Sequence, residues 1–229
     1  MRKITPLQIL LFLLLSLLAL ALGASTTALI FGKIPLGDFR GVFLVFTAIV
    51  LIYAYVIGVY RLFLWIAPLP EGDIAPESRE EFIYHVYLLF CLIFFQPLIR
   101  SLIVPVPLMR VIYLALGAKM GFNSYSGGAL LDPPLTEIGD HCIIGHDAVL
   151  FCHVIEGNHL ALAHIRLGNH VTIGGKAVIM PGVTVGDHAI IAINAVVTKG
   201  TCIGPGERWA GIPARRLAAV DPAHSPESI

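Results

Sequence analysis

Two patterns of apolar residues divide this chain. In the first, residues 7 to 31 (LQILLFLLLSLLALALGASTTALIF) and residues 41 to 60 run without a single charged side chain. A helix needs about 20 apolar residues to cross a bilayer, so the pattern predicts two spanning helices joined by a loop holding Lys33 and Arg40. Arg2 and Lys3 ahead of the leucine run, with Ala-Leu-Gly-Ala near its end, also fit a cleaved signal peptide. The apolar run extends beyond a signal core and a second one follows closely, which favours a retained anchor. Charges then gather between Pro68 and Glu81: Glu71, Asp73, Glu77, Arg79, Glu80 and Glu81. Phe82 to Ile99 is apolar but interrupted by His85, Gln96 and Pro97, and the stretch SLIVPVPLM between Arg100 and Arg110 contains Pro105 and Pro107. Residues 82 to 118 therefore read as one helix and a broken segment at the membrane interface. A third span is the alternative, because the apolar run is at the lower length limit for crossing.

From Met120 the second pattern begins, with a period of six. Aliphatic residues recur at Ile138, Ile144 and Leu150, and again at Leu167, Ile173, Ile179, Val185, Ile191 and Val197. Glycine follows directly at Gly139, Gly145, Gly168, Gly174 and Gly186. Six matches neither a helix nor an alternating strand; it is the period of a β-helix, in which each repeat is one short strand and a turn. Backward, the phase reaches Met120, with Ser126 and Asp132 as imperfect members. It breaks once: Leu150 to Leu167 is 17 residues, one short of three hexads. The segment FCHVIEGNHLALAHIR in that gap must leave the coil, a natural place for a site.

Composition sharpens this division. The chain is 57% hydrophobic and 13% charged, against roughly 45–50% and 25% for soluble domains. Its formal net charge of zero gives no bulk electrostatic basis for binding nucleic acid. Cys91, Cys142, Cys152 and Cys202 have neither zinc nor CxxC spacing, consistent with free thiols in a reducing compartment. Two spans would return the chain to its starting side, and Arg2 and Lys3 argue that this side is the cytoplasm, although Lys33 and Arg40 in the opposite loop pull against it.

The stretches LTEIGDHCIIGHDAVL, RLGNHVTIGGKAVIMPGVTVGDHAIIAINAVVTKG and ERWAGIPARR resemble the hexapeptide-repeat acyltransferases over residues 117 to 216. The resemblance implies a mainly β catalytic domain, a left-handed parallel β-helix, preceded here by a helical membrane domain of two transmembrane helices plus interfacial helices. It also implies a homotrimer with active sites between subunits, acetyl-CoA or another acyl-CoA as donor, and no permanently bound cofactor. The expected division is a transmembrane hairpin (1–67), a hinge with interfacial or re-entrant helices (68–117), the β-helix (118–201), and a closing segment and tail (202–229).

By the same resemblance, His153 in HVIEG matches the family's general base. Histidine suits this role because its pKa lies near working pH. Glu156 either orients the imidazole or solvates the loop, and His159 and His164 are candidates for the acceptor pocket. Gly174, Gly175, Ala192 and Asn194 match the track of the coenzyme's pantetheine arm, and Trp209 the family's aromatic position. Lys199, Arg215 and Arg216 are either phosphate partners or an ordinary basic tail. Ile212 stands where many members carry Asn. His141, His170 and His188 read as solvated corners and Cys152 as an inward-packed residue. The ligand motif of a zinc carbonic anhydrase on this fold is missing, so no metal is expected.

The function implied is transfer of an acetyl or short acyl group from acyl-CoA to a hydroxyl or amine of a sugar, lipid-linked or other small acceptor at the membrane. The alternatives are a non-catalytic membrane scaffold and, behind it, a zinc enzyme like the carbonic anhydrase of this fold.

Overall fold

The computed structural model describes residues 2–101 and 103–218; the end of the expected tail lies outside them. The chain forms two compact units. One comprises residues up to Pro70 with Ile74–Pro97, and the other Glu71–Asp73 with the chain from Leu98.

The first unit is helical. Thr5 caps the helix Pro6–Thr26 reciprocally, its hydroxyl accepting from Gln8 N while Gln8 Oε1 accepts from Thr5 N. The helix runs on through a wide π turn to Phe31, and the second apolar helix is Arg40–Ile66. Ser78 caps the third: its Oγ accepts from Glu81 N at 3.1 Å. Three helical stretches, Pro6–Phe31, Gly37–Ile66 and Arg79–Arg100, are long and apolar enough to cross a membrane by length and composition. The third covers the whole run from Phe82 to Ile99 despite the interruptions at His85, Gln96 and Pro97. A π turn over Cys91–Phe95 sits just before Pro97, where the regular backbone bond cannot form, so the helix continues to Arg100. Arg2 ties this unit together at one end, donating to Glu81 Oε1 at 3.1 Å and to the carbonyl of Ile74 at 2.7 Å.

The second unit is a three-sided parallel β-helix. One sheet pairs Lys119–Met120, Thr136–Ile138, Ile165–Leu167, Thr184–Val185 and Cys202–Ile203 in chain order. The second pairs Tyr125–Ser126, Ile143–Ile144, Thr172–Ile173, Ile190–Ile191 and Arg208–Gly211, closed by antiparallel Ala214–Arg216. The third pairs Ala129–Leu130, Val149–Leu150, Val178–Ile179 and Val196–Val197. All nine aliphatics of the six-residue pattern are buried and stack in register, each contributing about 1.5–3 kcal/mol relative to exposure. The corners need close backbone approach: a Cβ on Gly174 would lie 2.4 Å from Ile193 N in the next coil. His141, His170 and His188 occupy left-handed corner positions at φ of 56°, 57° and 61°. Their rings stack with centroids 4.9 and 4.7 Å apart.

Pro105 and Pro107 begin a helix rather than preclude one. Val106–Leu116 starts directly after Pro105, with Pro107 in the first turn where its missing N–H costs nothing, and ends at Gly117 with φ of 112°. This helix caps the first coil. Arg110 donates to the carbonyls of Ser124 and Gly121, and the buried Tyr113 hydroxyl donates to Gly128 O and accepts from Leu130 N. Burial pushes the Tyr113 phenol up to about 12, so it stays a neutral donor.

The phase break is an excursion. Cys152 O accepts from Ala163 N at 2.8 Å, closing a neck from which the hairpin His153–Glu156 and His159–Leu162 projects. Gly157, at φ of 60°, takes the first central position of its two-residue turn. A third strand joins from far away in sequence: Gly72–Asp73 of the polar hinge pairs antiparallel with His159–Leu162.

Candidate active site

His153 stands at the neck of the hairpin, where the chain leaves the coil. Its partner is Asp132, whose Oδ2 lies 2.7 Å from His153 Nδ1 and accepts the backbone N–H of Cys152 at 2.7 Å. The hexad phase predicts an inward strand position for Asp132, but the first coil departs from it. Leu130 takes the buried strand position, and Asp132 sits in the corner that leads into the short helical turn Pro133–Leu135. Thr136 Oγ1 donates to the Asp132 carbonyl at 3.0 Å and fixes that corner.

The Asp132 side chain is 4% exposed and that of His153 is 24% exposed. A buried carboxylate is costly unless paired, and here the pairing is an imidazole and a backbone amide. A carboxylate only accepts, so Nδ1 carries the proton and the unprotonated lone pair lies on Nε2. Burial lowers the His153 pKa, but the hydrogen bond and charge of Asp132 together outweigh it, leaving the imidazole more basic than usual. This is an oriented base with one face open.

Glu156 does not fill that role. It lies three positions along the strand from His153, at the hairpin's far end opposite His159, and pairs with Lys199. The Lys199 ammonium holds the Glu156 carboxyl below its ordinary range. Lys199 is thereby engaged with the hairpin, apart from Arg215 and Arg216. Cys152 is fully buried, and burial first, then the Asp132 charge, push its thiol far up. Its sulfur donates to Leu135 O at 3.3 Å, so no thiolate is available beside the base.

The remaining candidates fall into two groups. His159 and His164 face the hinge strand. His159 Nε2 is 2.9 Å from Asp73 Oδ1, while His164 Nδ1 is 3.1 Å from Glu71 Oε1, close enough for an ion pair but off the line of a good hydrogen bond. Gly174, Gly175, Ala192 and Asn194 share the edge between the second and third sheets; Asn194 N donates to Gly175 O at 3.0 Å. Trp209 continues that ladder, its carbonyl accepting from Ala192 N. Its indole donates to Glu207, which also pairs with Arg216 at 3.0 Å, whereas the Arg215 guanidinium reaches the carbonyl of Ala214. Within the chain this edge and His153 lie on opposite sides of the third sheet.

Sequence reasoning missed Asp132 as a partner. The signal was its polarity within an apolar phase, since a carboxylate placed inward needs a counter-group.

A family model, bacterial transferase hexapeptide (six repeats), matches residues 164–199. This match supports a left-handed hexapeptide-repeat β-helix behind the N-terminal helical region. No curated protein matches the chain. Among solved structures, a hexapeptide-repeat-containing acetyltransferase from Vibrio cholerae is 26% identical over 47% of this chain and 65% of its own, with a TM-score of 0.43. A maltose O-acetyltransferase from Clostridium difficile is 25% identical over 47% and 61%, with a TM-score of 0.42. A galactoside acetyltransferase in complex with coenzyme A is 22% identical over 55% and 76%, also at 0.42. The chain thus covers less than two thirds of the first two.

Proposed function

We propose that this protein is a membrane-anchored acyltransferase that moves an acetyl or short acyl group from acyl-CoA to a hydroxyl or amine. The observation that carries the reading is the Asp132–His153 pair at the root of a hairpin on a hexapeptide-repeat β-helix. His153 Nε2 takes the proton of the acceptor hydroxyl or amine as that atom attacks the thioester carbonyl. The carbon–sulfur bond breaks, and the imidazolium returns the proton to the departing thiolate. Asp132 stabilises the imidazolium and holds the tautomer. The coenzyme runs along the edge of Gly174, Gly175, Ala192 and Asn194. Because that edge and His153 are separated by a sheet in one chain, a neighbouring copy completes each site, which a homotrimer provides.

Two helices, Pro6–Phe31 and Gly37–Ile66, anchor the chain. Glu71–Asp73 is strand-paired to the hairpin, and the chain from Leu98 leads into the capping helix of the same β-helix. An interfacial or re-entrant course for Arg79–Arg100 is favoured over a third crossing because His85, Gln96 and Pro97 interrupt an apolar run already at the lower length limit for crossing. Two spans return the chain to the side it started on, and Arg2 with Lys3 favours the cytoplasm for that side.

The test follows thiol release from acetyl-CoA by the full chain in detergent, against a panel of sugar and amine acceptors, with the exposed Cys202 setting the background. Acceptor-dependent release of coenzyme A is expected. Absence of release with every acceptor, together with no thermal stabilisation by coenzyme A, would remove the reading.

A further inference from the structure

The first coil turns one corner in fewer residues than the second. Ser126 and Leu130 pair in register with Ile144 and Leu150, yet the first two are four positions apart and the second two are six apart. The shortened corner at Gly127–Gly128 leaves a recess beside His146–Asp147, and Leu98, Arg100, Val104, Val106 and Met109 close its other side. The resulting cleft has a volume of about 480 Å³, within the range of small-molecule sites. Its walls are apolar: Leu98, Val104, Val106 and Met109 face Ala129 and Val149.

Two side chains that can carry a positive charge, His146 and Arg100, line it. His146 is engaged, with Nε2 3.4 Å from Asp147 Oδ1. Arg100 is exposed and makes no hydrogen bond or ion pair among the described residues. An apolar recess beside an uncommitted guanidinium suits a ligand with a hydrocarbon chain and an anionic head. The surroundings point to its source. Arg100 ends the apolar helix Arg79–Arg100, and Ile103, Val106, Leu108 and Val111 near the cleft are exposed, a surface suited to hydrocarbon. A soluble anion would make no use of these walls.

We infer that the cleft binds the head and proximal chain of a phosphate-bearing membrane lipid, with Arg100 paired to the phosphate, and that this lipid class supplies the acyl acceptor. The acceptor role rests on the acyltransferase reading; the binding does not. The cleft lies on the same edge as Gly174 and Asn194, nearer the capping helix. A lipid seated there lies beside the corner of His146, whose carbonyl accepts from Lys176 N next to Gly175.

The full-length protein in uncharged detergent is titrated with dioleoyl phosphatidylglycerol and, separately, with dioleoylglycerol, and retained lipid is counted by native mass spectrometry. One phosphatidylglycerol per chain is expected. Arg100→Gln should weaken it about tenfold, the order of a charge-assisted hydrogen bond, and dioleoylglycerol by less than about twofold. Val104→Trp, which fills the cleft, should weaken both. Equal phosphatidylglycerol affinity in wild type and Arg100→Gln, or no effect of Val104→Trp, overturns the inference. So does displacement of the lipid by millimolar inorganic phosphate, which would indicate a simple anion site. Stabilisation by coenzyme A, measured on the same preparations, separates the two readings. Coenzyme binding without lipid retention removes the lipid site alone, whereas lipid retention without any coenzyme effect removes only the acyltransferase reading and the acceptor role that rests on it.

Discussion

One oxygen of Asp132 holds both the side chain of His153 and the backbone of the residue before it. Oδ2 lies 2.7 Å from His153 Nδ1 and 2.7 Å from Cys152 N. The carboxylate therefore orients the imidazole and fixes the backbone where the coil opens into the hairpin. These are separable tasks, because an amide oxygen can still accept from Cys152 but cannot stabilise an imidazolium.

Asp132→Asn should accordingly keep the fold and lose turnover, by about 10²–10⁴-fold as expected for a misoriented base. The acidic limb of kcat/KM gives a second readout. Asp132 raises the His153 pKa, so removing its charge should move the limb to lower pH while the plateau falls. A pH–rate profile of the two proteins measures both effects.

The same pair makes stability depend on pH, with a definite sign. A histidine whose folded pKa is raised contributes stability that is full below its unfolded value, about 6.5, and is lost as pH rises through the folded pKa. The midpoint of thermal unfolding for wild type should exceed that of His153→Gln most clearly near pH 6. The gap should narrow as pH rises towards 8. A gap that widens with pH would contradict the pairing.

The hairpin is clasped mainly by backbone. The His159–Asp73 pair is exposed on both sides, and such pairs contribute about 0–1 kcal/mol, so Asp73→Ala should change little. Gly72 has φ of 96° within the strand that pairs with His159–Leu162. Proline cannot adopt that angle, so Gly72→Pro should detach the strand. Hydrogen exchange over residues 153–162 should then rise by at least about tenfold.

Much of this was legible in the sequence and some was not. The period of six gave the β-helix because each buried aliphatic must stack on its equivalent one coil away, and the break after Leu150 located the hairpin. Asp132 was obscured by a local change of register: Leu130 took the buried strand position and pushed Asp132 into the corner. The clasp was invisible for another reason. Gly72–Asp73 and His159–Leu162 lie far apart in the chain, and a two-residue strand has no periodicity to read. Gln96 and Pro97 interrupt the apolar run from Phe82 to Ile99 without ending the helix, because the π turn at Cys91–Phe95 absorbs the missing backbone bond.

Cys152 tests the choice of nucleophile. Its thiol is fully buried and pushed far up, while Cys202 is exposed. In the folded protein a thiol reagent should modify Cys202 rapidly and Cys152 slowly, and Cys152→Ala should retain turnover within about threefold. A loss of several orders of magnitude would favour a covalent thioester route.

The most direct measurement compares acyl transfer by wild type and His153→Ala, with coenzyme A binding read by thermal stabilisation in the same samples. The expected result is a fall in turnover of about 10²–10⁴-fold with the coenzyme's stabilising effect intact. Undiminished turnover in His153→Ala would contradict a mechanism in which this imidazole accepts the acceptor's proton.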